Sequence, residues 1–361
     1  MKTLVIGCGA SGRAAGRLAS SLGCEVNYAD GVDLVIASPG VRVVSELEYG
    51  VRALAKRGVK MLAVTGSKGK SSVVKLVADA LSLAGKKAVP CGNYGLPVSA
   101  VGDCEWAVVE VSSFQLETTN LGRDAFEAAA ILNLQEDHLD RHGSAETYRD
   151  IKRRLLSMAM ESADFSLASA PREDVSELVK GSYFDNSILR RNAEAAVWLM
   201  RRTGLEDAEM RRAFENFVPL EHRMQVVGIF GGVKWIDDSK ATSLAALAAG
   251  VEMAGEGTRL IAGGRAKGDR PENFTGGLTK RVKKVYLIGE CAEVFRSAWS
   301  GAVDCEICGT MEKAVAAAAR DAAEGETVLL SPGAASFDQF DDFGERGDVF
   351  AALAKKEGQK K

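Results

Sequence analysis

The sequence is poor in histidine, has no long apolar segment and carries no excess of positive charge. Only 3 of its 361 residues are histidine, and the formal net charge is −3. The longest apolar runs have the length of a strand, so we expect no segment that spans a bilayer. The charge balance gives no electrostatic reason to expect a nucleic acid or an anionic membrane as a partner. These shortages favour a soluble globular protein that has neither partner.

The cysteines follow no disulfide or metal-binding pattern. Their odd number in a long chain argues against a disulfide scaffold. Cys305 and Cys308 form a single CxxC, and no second pair completes a zinc site. The chain begins with a strand-like run at residues 3–6, without the layout of a signal peptide. We therefore expect a protein of the reducing cytoplasm. The seven cysteines are Cys8, Cys24, Cys91, Cys104, Cys291, Cys305 and Cys308.

Three α/β blocks follow one another along the chain, and each opens on a strand and a glycine-rich turn. We place them at residues 1–60, 61–219 and 220–361. Length alone predicts two or three domains, at roughly 100–200 residues each. Strands that alternate with helical stretches are typical of parallel sheets, so the expected fold class is α/β with three domains.

A glycine motif, Gly7-x-Gly9-x-x-Gly12, follows the first strand. Such glycines let the backbone approach a pyrophosphate at the positive N-terminus of a helix, expected here from Arg13 to about Leu22. Asp30 lies at about the right distance to meet a ribose hydroxyl. Taken alone, the motif favours a dinucleotide enzyme, although a tight turn without a ligand has the same form. A third strand is expected at residues 33–37, before Ser38-Pro39-Gly40.

A short phosphate loop follows the strand expected at residues 61–65. Gly66-Ser67-Lys68-Gly69-Lys70-Ser71 has two residues between its glycines, where a Walker A motif has four. The physics is the same, because backbone N–H groups and the helix N-terminus can cradle phosphates. We expect Lys70 to reach the β- and γ-phosphates and Ser71 to hold Mg²⁺. The amphipathic helix that follows is expected to stop at Gly85.

Two further strand-like runs end in acidic or imidazole side chains. Glu110 follows the first run, and Asp137, His138 and Asp140 follow the second. Ligands bind at the carboxyl ends of strands in open α/β sheets. Oxygen ligands with one imidazole suit Mg²⁺ and phosphate chemistry better than zinc. Together with the phosphate loop, these positions predict a protein that uses ATP. The other nearby histidine, His142, is interpreted as structural.

These segments together resemble the Mur ligase family, and within it the branch that adds D-glutamate. The most specific are Ser-Ser-Phe-Gln-Leu-Glu at 112–117 and Ser-x-Asp-Gln-Phe at 336–340. The resemblance implies a Rossmann-like N-terminal domain, a central P-loop ATPase domain with a mostly parallel sheet and a C-terminal Rossmann-like domain. The motifs that carry it lie at 65–72, 92–97, 110–117, 132–141, 222–223, 237–242, 263–264 and 330–340.

The resemblance also implies roles for single residues. Lys152, which the sequence alone would place on a solvated helix face, matches a lysine that the family carbamylates. The implied catalytic residues are Lys70, Glu110, His138 and Lys152, and the implied metal ligands are Ser71, Glu110, His138 and Lys152. The implied ATP-binding residues are Gly66, Ser67, Lys68, Gly69, Lys70, Ser71, Ser72, Asn192, Arg223, Asp238 and Lys240. The implied substrate-binding residues are Gly9, Ala10, Ser11, Asp30, Asn93, Ser112, Thr242, Lys267, Ser336 and Phe343.

The implied reaction is ATP-driven amide formation in the synthesis of a peptidoglycan precursor. The alanyl carboxylate of UDP-N-acetylmuramoyl-L-alanine attacks the γ-phosphate of ATP, and the amine of D-glutamate then displaces phosphate from the acyl phosphate. Two Mg²⁺ ions would neutralise the developing charge. The resemblance further implies a cytoplasmic enzyme, and we expect it to be a monomer.

The chain departs from the family pattern in three places. The first block is shorter than its counterpart, and the stretch between Lys152 and Asn192 is compressed. Leu189 stands where the family often has asparagine, and Lys68 adds a positive charge beside the expected ATP site. We therefore expect intact ATP chemistry with weaker or altered contacts to the uridine.

Three other hypotheses remain open at this point. The chain could be a Mur-type ligase for another amino acid or acceptor, for example one adding L-glutamate. It could be an NAD(P)-dependent oxidoreductase that uses the glycine motif at residues 7–12, which predicts no role for Lys70. It could also be a non-catalytic nucleotide-binding paralogue, which the presence of Glu110, His138, Lys152 and Asp238 disfavours.

Overall fold

The computed structural model describes residues 2–31, 43–135, 138–266, 268 and 270–358, with only the backbone for Leu139 and Asp140. The chain divides into two compact units, Met1–Val218 and Pro219–Lys361. Helices alternate with mostly parallel strands in both units, which confirms the α/β fold class. The division into three domains stays a prediction. The strand expected at 33–37 and the segment Ser38-Pro39-Gly40 lie outside the described residues.

The first unit opens with a parallel two-stranded sheet and continues with a five-stranded one. The helix of the small sheet begins three residues earlier than predicted, because the chain turns helical directly after the extended Gly9. The small sheet comprises β1 (Lys2–Ile6), α1 (Ala10–Ser21) and β2 (Glu25–Ala29). The rest comprises α2 (Glu46–Lys56), β3 (Lys60–Thr65), α3 (Lys70–Leu83), β4 (Ala88–Gly92), β5 (Trp106–Glu110), α4 (Ser113–Thr118), β6 (Phe126–Ile131), α5 (Leu139–His142), α6 (Ala145–Arg153), β7 (Ala159–Asp164), α7 (Ser176–Val179), α8 (Arg190–Arg201) and α9 (Asp207–Glu215).

The five-stranded sheet runs in the order β4-β5-β3-β6-β7 and is parallel throughout. Its three central strands are apolar and buried on both faces, as parallel sheets covered by helices require. Because all strands run the same way, the chain leaves β3, β5 and β6 at one edge. In register, Val64 pairs with Glu110 on one side of β3, and Thr65 pairs with Ile131 on the other. The phosphate loop therefore begins between the two strand ends that the sequence singled out.

The second unit is built on one six-stranded sheet in the order β12-β11-β10-β13-β9-β8. It is parallel except for β8, an edge strand missed from the sequence, which pairs antiparallel with β9. Apolar clusters cover both faces of the sheet. The elements are β8 (Gln225–Phe230), β9 (Val233–Asp237), α10 (Leu244–Ala254), β10 (Thr258–Gly263), α11 (Thr275–Leu278), β11 (Val282–Ile288), α12 (Ala292–Trp299), β12 (Asp304–Gly309), α13 (Met311–Asp321), β13 (Thr327–Leu330) and α14 (Phe343–Gly358).

Two smaller observations bear on the expectations from composition. All seven cysteines are free thiols, and Cys305 and Cys308 lie together on the edge strand β12. Within the described parts of the chain, every helix is too short or too polar to cross a membrane.

Candidate functional site

The phosphate loop connects β3 to α3 and is braced by the segment that follows β6. Asn133 accepts a hydrogen bond from Lys68 N at 2.8 Å and donates one to Lys68 O at 2.9 Å through its side-chain amide. Its backbone oxygen accepts from Ser67 N at 2.9 Å. In the described structure no side-chain hydrogen bond caps the N-terminus of α3, and an N-terminus of this kind can bind an anion. Sequence reasoning missed Asn133, although it stands directly after the buried Leu132.

Two lysines place their ammonium groups on the carbonyls of this loop. Lys70 Nζ donates to Gly66 O at 2.9 Å and to Ser67 O at 3.1 Å. Lys152 Nζ donates to the same Gly66 O at 3.0 Å and approaches Thr65 Oγ1 at 3.3 Å. Lys152 is buried on α6, contrary to the solvated face that its sequence context alone predicts. The loop therefore holds two positive charges where a nucleotide phosphate would bind.

The Ser67 side chain is committed to holding the loop in place. Its hydroxyl donates to Gln135 O at 3.0 Å, accepts from Gln135 N at 3.0 Å and lies 2.9 Å from Tyr148 OH. Ser67 is buried. Its backbone N–H is used as well, by Asn133 O, so its predicted part in ATP binding stays a prediction.

Glu110 is a buried carboxylate with one unused oxygen. Oε1 accepts a hydrogen bond from Asn93 Nδ2 at 2.8 Å, whereas Oε2 is buried with no hydrogen-bond partner in the described structure. Glu110 is 2% exposed. A buried carboxyl oxygen without a donor is costly, and a bound cation would satisfy it. Glu110 therefore fits the predicted role of a metal ligand.

His138 is exposed and has a left-handed backbone, with φ of 52°. Its ring contacts Phe114 edge-on, with the ring centroids 4.9 Å apart. Asp137 and the side chain of Asp140 lie outside the described residues. No group of three or more His, Cys, Asp or Glu side chains in the described residues could hold a metal by itself. Mg²⁺ usually keeps several waters and takes phosphate oxygens as ligands, so two protein ligands such as Glu110 and His138 would be enough for it.

The other residues of the first unit that are predicted to bind ATP or the substrate lie in different places. Asn192, near the start of α8, is buried against the phosphate loop. Ser112 caps α4 together with Gln115 in a reciprocal pair of hydrogen bonds. In the small sheet, Asp30 Oδ1 accepts from Cys8 N at 3.3 Å. Gly12 is required by packing, because a Cβ there would come within 1.8 Å of Gly7 O. Gly9, Ala10 and Ser11 are exposed, and Ser71 is half-buried in the first turn of α3.

In the second unit, Asp238 follows β9 and is buried among polar partners. Oδ2 accepts from Ser331 Oγ at 2.9 Å, and Oδ1 accepts from Met224 N at 3.2 Å. Burial raises the pKa of Asp238 to about 7, against the opposing effects of the Ser331 hydrogen bond and the nearby Arg223. Arg223 Nε is itself buried without a hydrogen bond in the described residues.

Lys240 and Phe343, predicted for ATP and D-glutamate, lie together. Lys240 Nζ is 5.3 Å from the centre of the Phe343 ring. Lys240 N donates to His222 O at 3.0 Å, and His222 Nδ1 lies 2.7 Å from Asp237 Oδ2. Ser336 is buried in the segment after β13, and Thr242 lies two residues beyond Lys240. Lys267 lies outside the described residues.

Arg346 is the main residue of this unit that sequence reasoning missed. It is 1% exposed and donates to Ser239 Oγ at 2.9 Å, Ser239 O at 2.8 Å and Ala334 O at 3.1 Å. It thereby joins α14 to the segments that carry Asp238, Lys240 and Ser336. Nothing in the sequence distinguishes it among 46 lysines and arginines.

Comparisons with known proteins agree along the chain. A model of the Mur ligase middle domain matches residues 64–225, and a model of the Mur ligase glutamate ligase domain matches residues 222–333. The UDP-N-acetylmuramoylalanine–D-glutamate ligase of Acidobacterium capsulatum is 34% identical over 382 residues, covering 89% of this chain and 82% of that protein. The ligase of the same name from Nitratidesulfovibrio vulgaris is 35% identical, covering 88% of this chain and 77% of its own length.

Solved structures show the same fold at lower sequence identity. The UDP-N-acetylmuramate–alanine ligase of Thermotoga maritima matches with a TM-score of 0.66 at 15% identity, covering 99% of both chains. The MurF ligase of Thermotoga maritima, solved with ADP, matches with a TM-score of 0.65 at 15% identity, covering 99% of this chain and 95% of that one. From the domain models and the extent of identity, the chain belongs to the Mur ligase family.

Proposed function

We propose that the protein is an ATP-dependent ligase that adds D-glutamate to UDP-N-acetylmuramoyl-L-alanine in the synthesis of a peptidoglycan precursor. The observation that carries the proposal is the identity of 34–35%, over nearly nine-tenths of the chain, to ligases with that name. The site supports it, because a phosphate loop with two lysines lies at the same sheet edge as a buried carboxylate with an unused oxygen.

In the proposed first step, the alanyl carboxylate attacks the γ-phosphate of ATP, forming an acyl phosphate and releasing ADP. The N-terminus of α3 and Lys70 would hold the phosphates and neutralise their charge. The loop backbone of residues 66–72 would cradle them, with Asn192 beside Gly69. In the second unit, Arg223, Asp238 and Lys240 are the proposed contacts to ATP.

In the proposed second step, the amine of D-glutamate attacks the acyl carbon and inorganic phosphate leaves with its bonding electron pair. Thr242, Lys267, Ser336 and Phe343 are the proposed D-glutamate residues. Gly9, Ala10, Ser11, Asp30, Asn93 and Ser112 are proposed to bind the UDP-sugar substrate.

We further propose that Ser71, Glu110, His138 and Lys152 hold two Mg²⁺ ions, which would supply charge neutralisation at the phosphoryl oxygens. Carbamylation of Lys152 would turn a buried cation into an anionic ligand. Mass spectrometry under CO₂ tests this modification. A cytoplasmic location agrees with seven free thiols. The monomeric state stays a prediction that light scattering checks.

The deciding experiment measures phosphate release with UDP-N-acetylmuramoyl-L-alanine, ATP and Mg²⁺, with and without D-glutamate. We expect release that depends on D-glutamate, is not supported by L-glutamate and is lost in Lys70→Ala. Lys75→Ala, on the same helix but paired with Asp79, is the matched control and should remain active. Release with another amino acid would indicate a different Mur-type ligase. Full activity of Lys70→Ala would contradict the ligase assignment.

A further inference from the structure

Ser113, His142 and Glu117 are joined by two polar contacts. These contacts connect α4, which follows Glu110, to α5, which follows His138. Ser113 Oγ lies 3.0 Å from His142 Nε2, and His142 Nδ1 lies 3.1 Å from Glu117 Oε1. Hydrolase triads have the same order of hydroxyl, imidazole and carboxylate. Here Ser113 is 2% exposed and the His142 side chain is fully buried, so the hydroxyl is closed to a substrate. The three residues are therefore in a position to hold the local structure around the site, and not to act on a substrate.

The Glu117 carboxylate beside the His142 ring is held in place by Arg141. Arg141 donates to Glu117 Oε2 at 2.7 Å, and this hydrogen bond lowers the pKa of Glu117. His142 Nδ1 lies 3.1 Å from Glu117 Oε1, off the line of a good hydrogen bond. The contact of His142 Nε2 with Ser113 Oγ at 3.0 Å therefore fixes the ring orientation.

Ser113 and His142 are each connected to one proposed metal ligand. Ser113 stands three residues after Glu110 and begins α4. His142 N donates to His138 O at 3.0 Å, so the two histidines are one helical turn apart. The Phe114 ring contacts both of them, with centroids 4.9 Å from His138 and 5.5 Å from His142. Movement of His142 would therefore change the position of His138 relative to Glu110.

His138 needs such support because its backbone is strained. Its φ of 52° lies in the left-handed region, which is unfavourable for a residue with a Cβ. Strained residues persist only where their surroundings hold them. The hydrogen bonds from Arg141 N at 3.1 Å and His142 N at 3.0 Å to the His138 carbonyl, and the contact with Phe114, are among the interactions that do so. α5 is a single turn and cannot fix this conformation by itself.

We propose that His142 is a positioning residue for metal binding, which sets the spacing of Glu110 and His138 through Ser113 and the His138 carbonyl. The inference rests on the proposed metal role of Glu110 and His138. It changes the interpretation of His142 from a histidine that only fills the core to one on which the affinity for a divalent cation depends.

The test is a titration of the full-length protein with Mn²⁺ alone, following free Mn²⁺ by electron paramagnetic resonance. We expect His142→Leu to weaken Mn²⁺ binding roughly 10-fold, as is usual when a residue that orients a ligand is removed. His142→Gln, which can still bond Ser113, should recover most of the affinity. In turnover, His142→Leu should raise the Mg²⁺ concentration for half-maximal rate and leave kcat at saturating Mg²⁺ nearly unchanged.

Two further variants separate the possible outcomes. Thr203→Val removes a buried hydrogen bond of 2.6 Å at the end of α8, so it should lower stability without changing Mn²⁺ affinity. If His142→Leu does not fold, Ser113→Ala replaces it. Mn²⁺ binding that Glu110→Gln does not weaken overturns the proposed metal site itself. Binding that Glu110→Gln weakens but neither His142→Leu nor Ser113→Ala weakens overturns only the positioning role, as does an equal effect of Thr203→Val.

Discussion

The side-chain amide of Asn192 lies against the backbone of Gly69 in the phosphate loop. A Cβ built on Gly69 would come within 2.3 Å of Asn192 Nδ2. Gly69 also has a left-handed backbone, with φ of +84°, at the residue that precedes α3. The start of α8 and the phosphate loop are thus in direct contact. The loop can keep its shape only with glycine at this position.

The first prediction concerns Gly69→Ala. The added methyl group would displace either Asn192 or the loop, and the left-handed backbone would cost roughly 1–2 kcal/mol besides. We expect the KM for ATP to rise about 10-fold or more, since misplacing phosphate-binding groups by about 1 Å is costly. The ATP dependence of phosphate release measures this.

Gly85→Ala is the matched control for this substitution. Gly85 follows α3 with φ of +77°, but a Cβ there would meet nothing within 4 Å. Gly85→Ala should therefore carry a similar backbone strain and lower the free energy of unfolding by a similar amount. The KM for ATP should be unchanged. Equal KM values in the two variants would show that the collision with Asn192 is unimportant.

The residues at the carboxyl edge of the five-stranded sheet could be predicted from the sequence, because each is marked by the strand directly before it. Glycines after β3, an acidic residue after β5 and a histidine after β6 each follow a buried strand. Parallel strands necessarily bring these ends to one edge. The predicted start of α1 was wrong by three residues, because glycines in a helical first turn resemble loop residues.

The supporting residues could not be found in this way. Lys152, Arg346 and Asn133 depend on partners that are distant in the chain, such as Gly66, Ser239 and Lys68. Lysine and arginine are common on solvated surfaces, so their identity carries no signal of burial. Lys152 was identified from the family resemblance alone.

The second prediction concerns the pH dependence of stability through Asp238. Burial raises its pKa to about 7 in the folded protein, from 3.8 in a model compound. Between these values the folded state binds more protons than the unfolded state. The contribution of Asp238 to the free energy of unfolding is therefore fully present below pH 3.8 and is lost as the pH rises through 7. We expect the urea midpoint of the transition that reports the second unit to fall from pH 4.5 to 7.5.

Asp238→Asn should remove much of this fall. Some pH dependence will remain, since burial also raises the pKa of Asp237, beside His222 and Arg346. The measurement is a series of urea unfolding curves for both proteins across this pH range. Parallel pH profiles for the two proteins would mean that Asp238 is ionised at the same pH in the folded and unfolded states.

The third prediction concerns Arg346→Met. Its removal leaves Ser239 O and Ala334 O without their donor and frees the start of α14 from the Asp238–Lys240 segment. Burial lowers the pKa of Arg346 to about 10, so the group is charged at neutral pH and its hydrogen bonds are charge-assisted. We expect a loss of about 3 kcal/mol in the free energy of unfolding and a higher KM for D-glutamate.

Arg320→Gln is the control for charge removal in the same unit. Its side chain is 63% exposed in a network of surface ion pairs, so its loss should change stability by less than about 0.5 kcal/mol. Arg346→Lys keeps the charge but cannot reproduce the fork of hydrogen bonds. If Arg346→Lys were as stable as the parent, the charge and not the geometry would be what holds these segments.

The fourth prediction concerns the uridine end of the substrate. Asp30, the expected ribose partner, is exposed and already accepts from Cys8 N. Within the described residues, β1 and β2 form a two-stranded sheet. Few of the groups that the structure describes there can enclose a uracil ring, so UDP alone should bind weakly, with a Kd of about 1 mM, or about 4 kcal/mol of binding free energy. Isothermal titration measures this.

Asp30→Asn keeps an oxygen for Cys8 N and should weaken binding of the complete substrate only a few-fold, by about 1 kcal/mol. The control Asp103→Asn, at an exposed surface pair, should leave this binding unchanged. Tight UDP binding that depends on uracil would mean that the short first block still encloses the base.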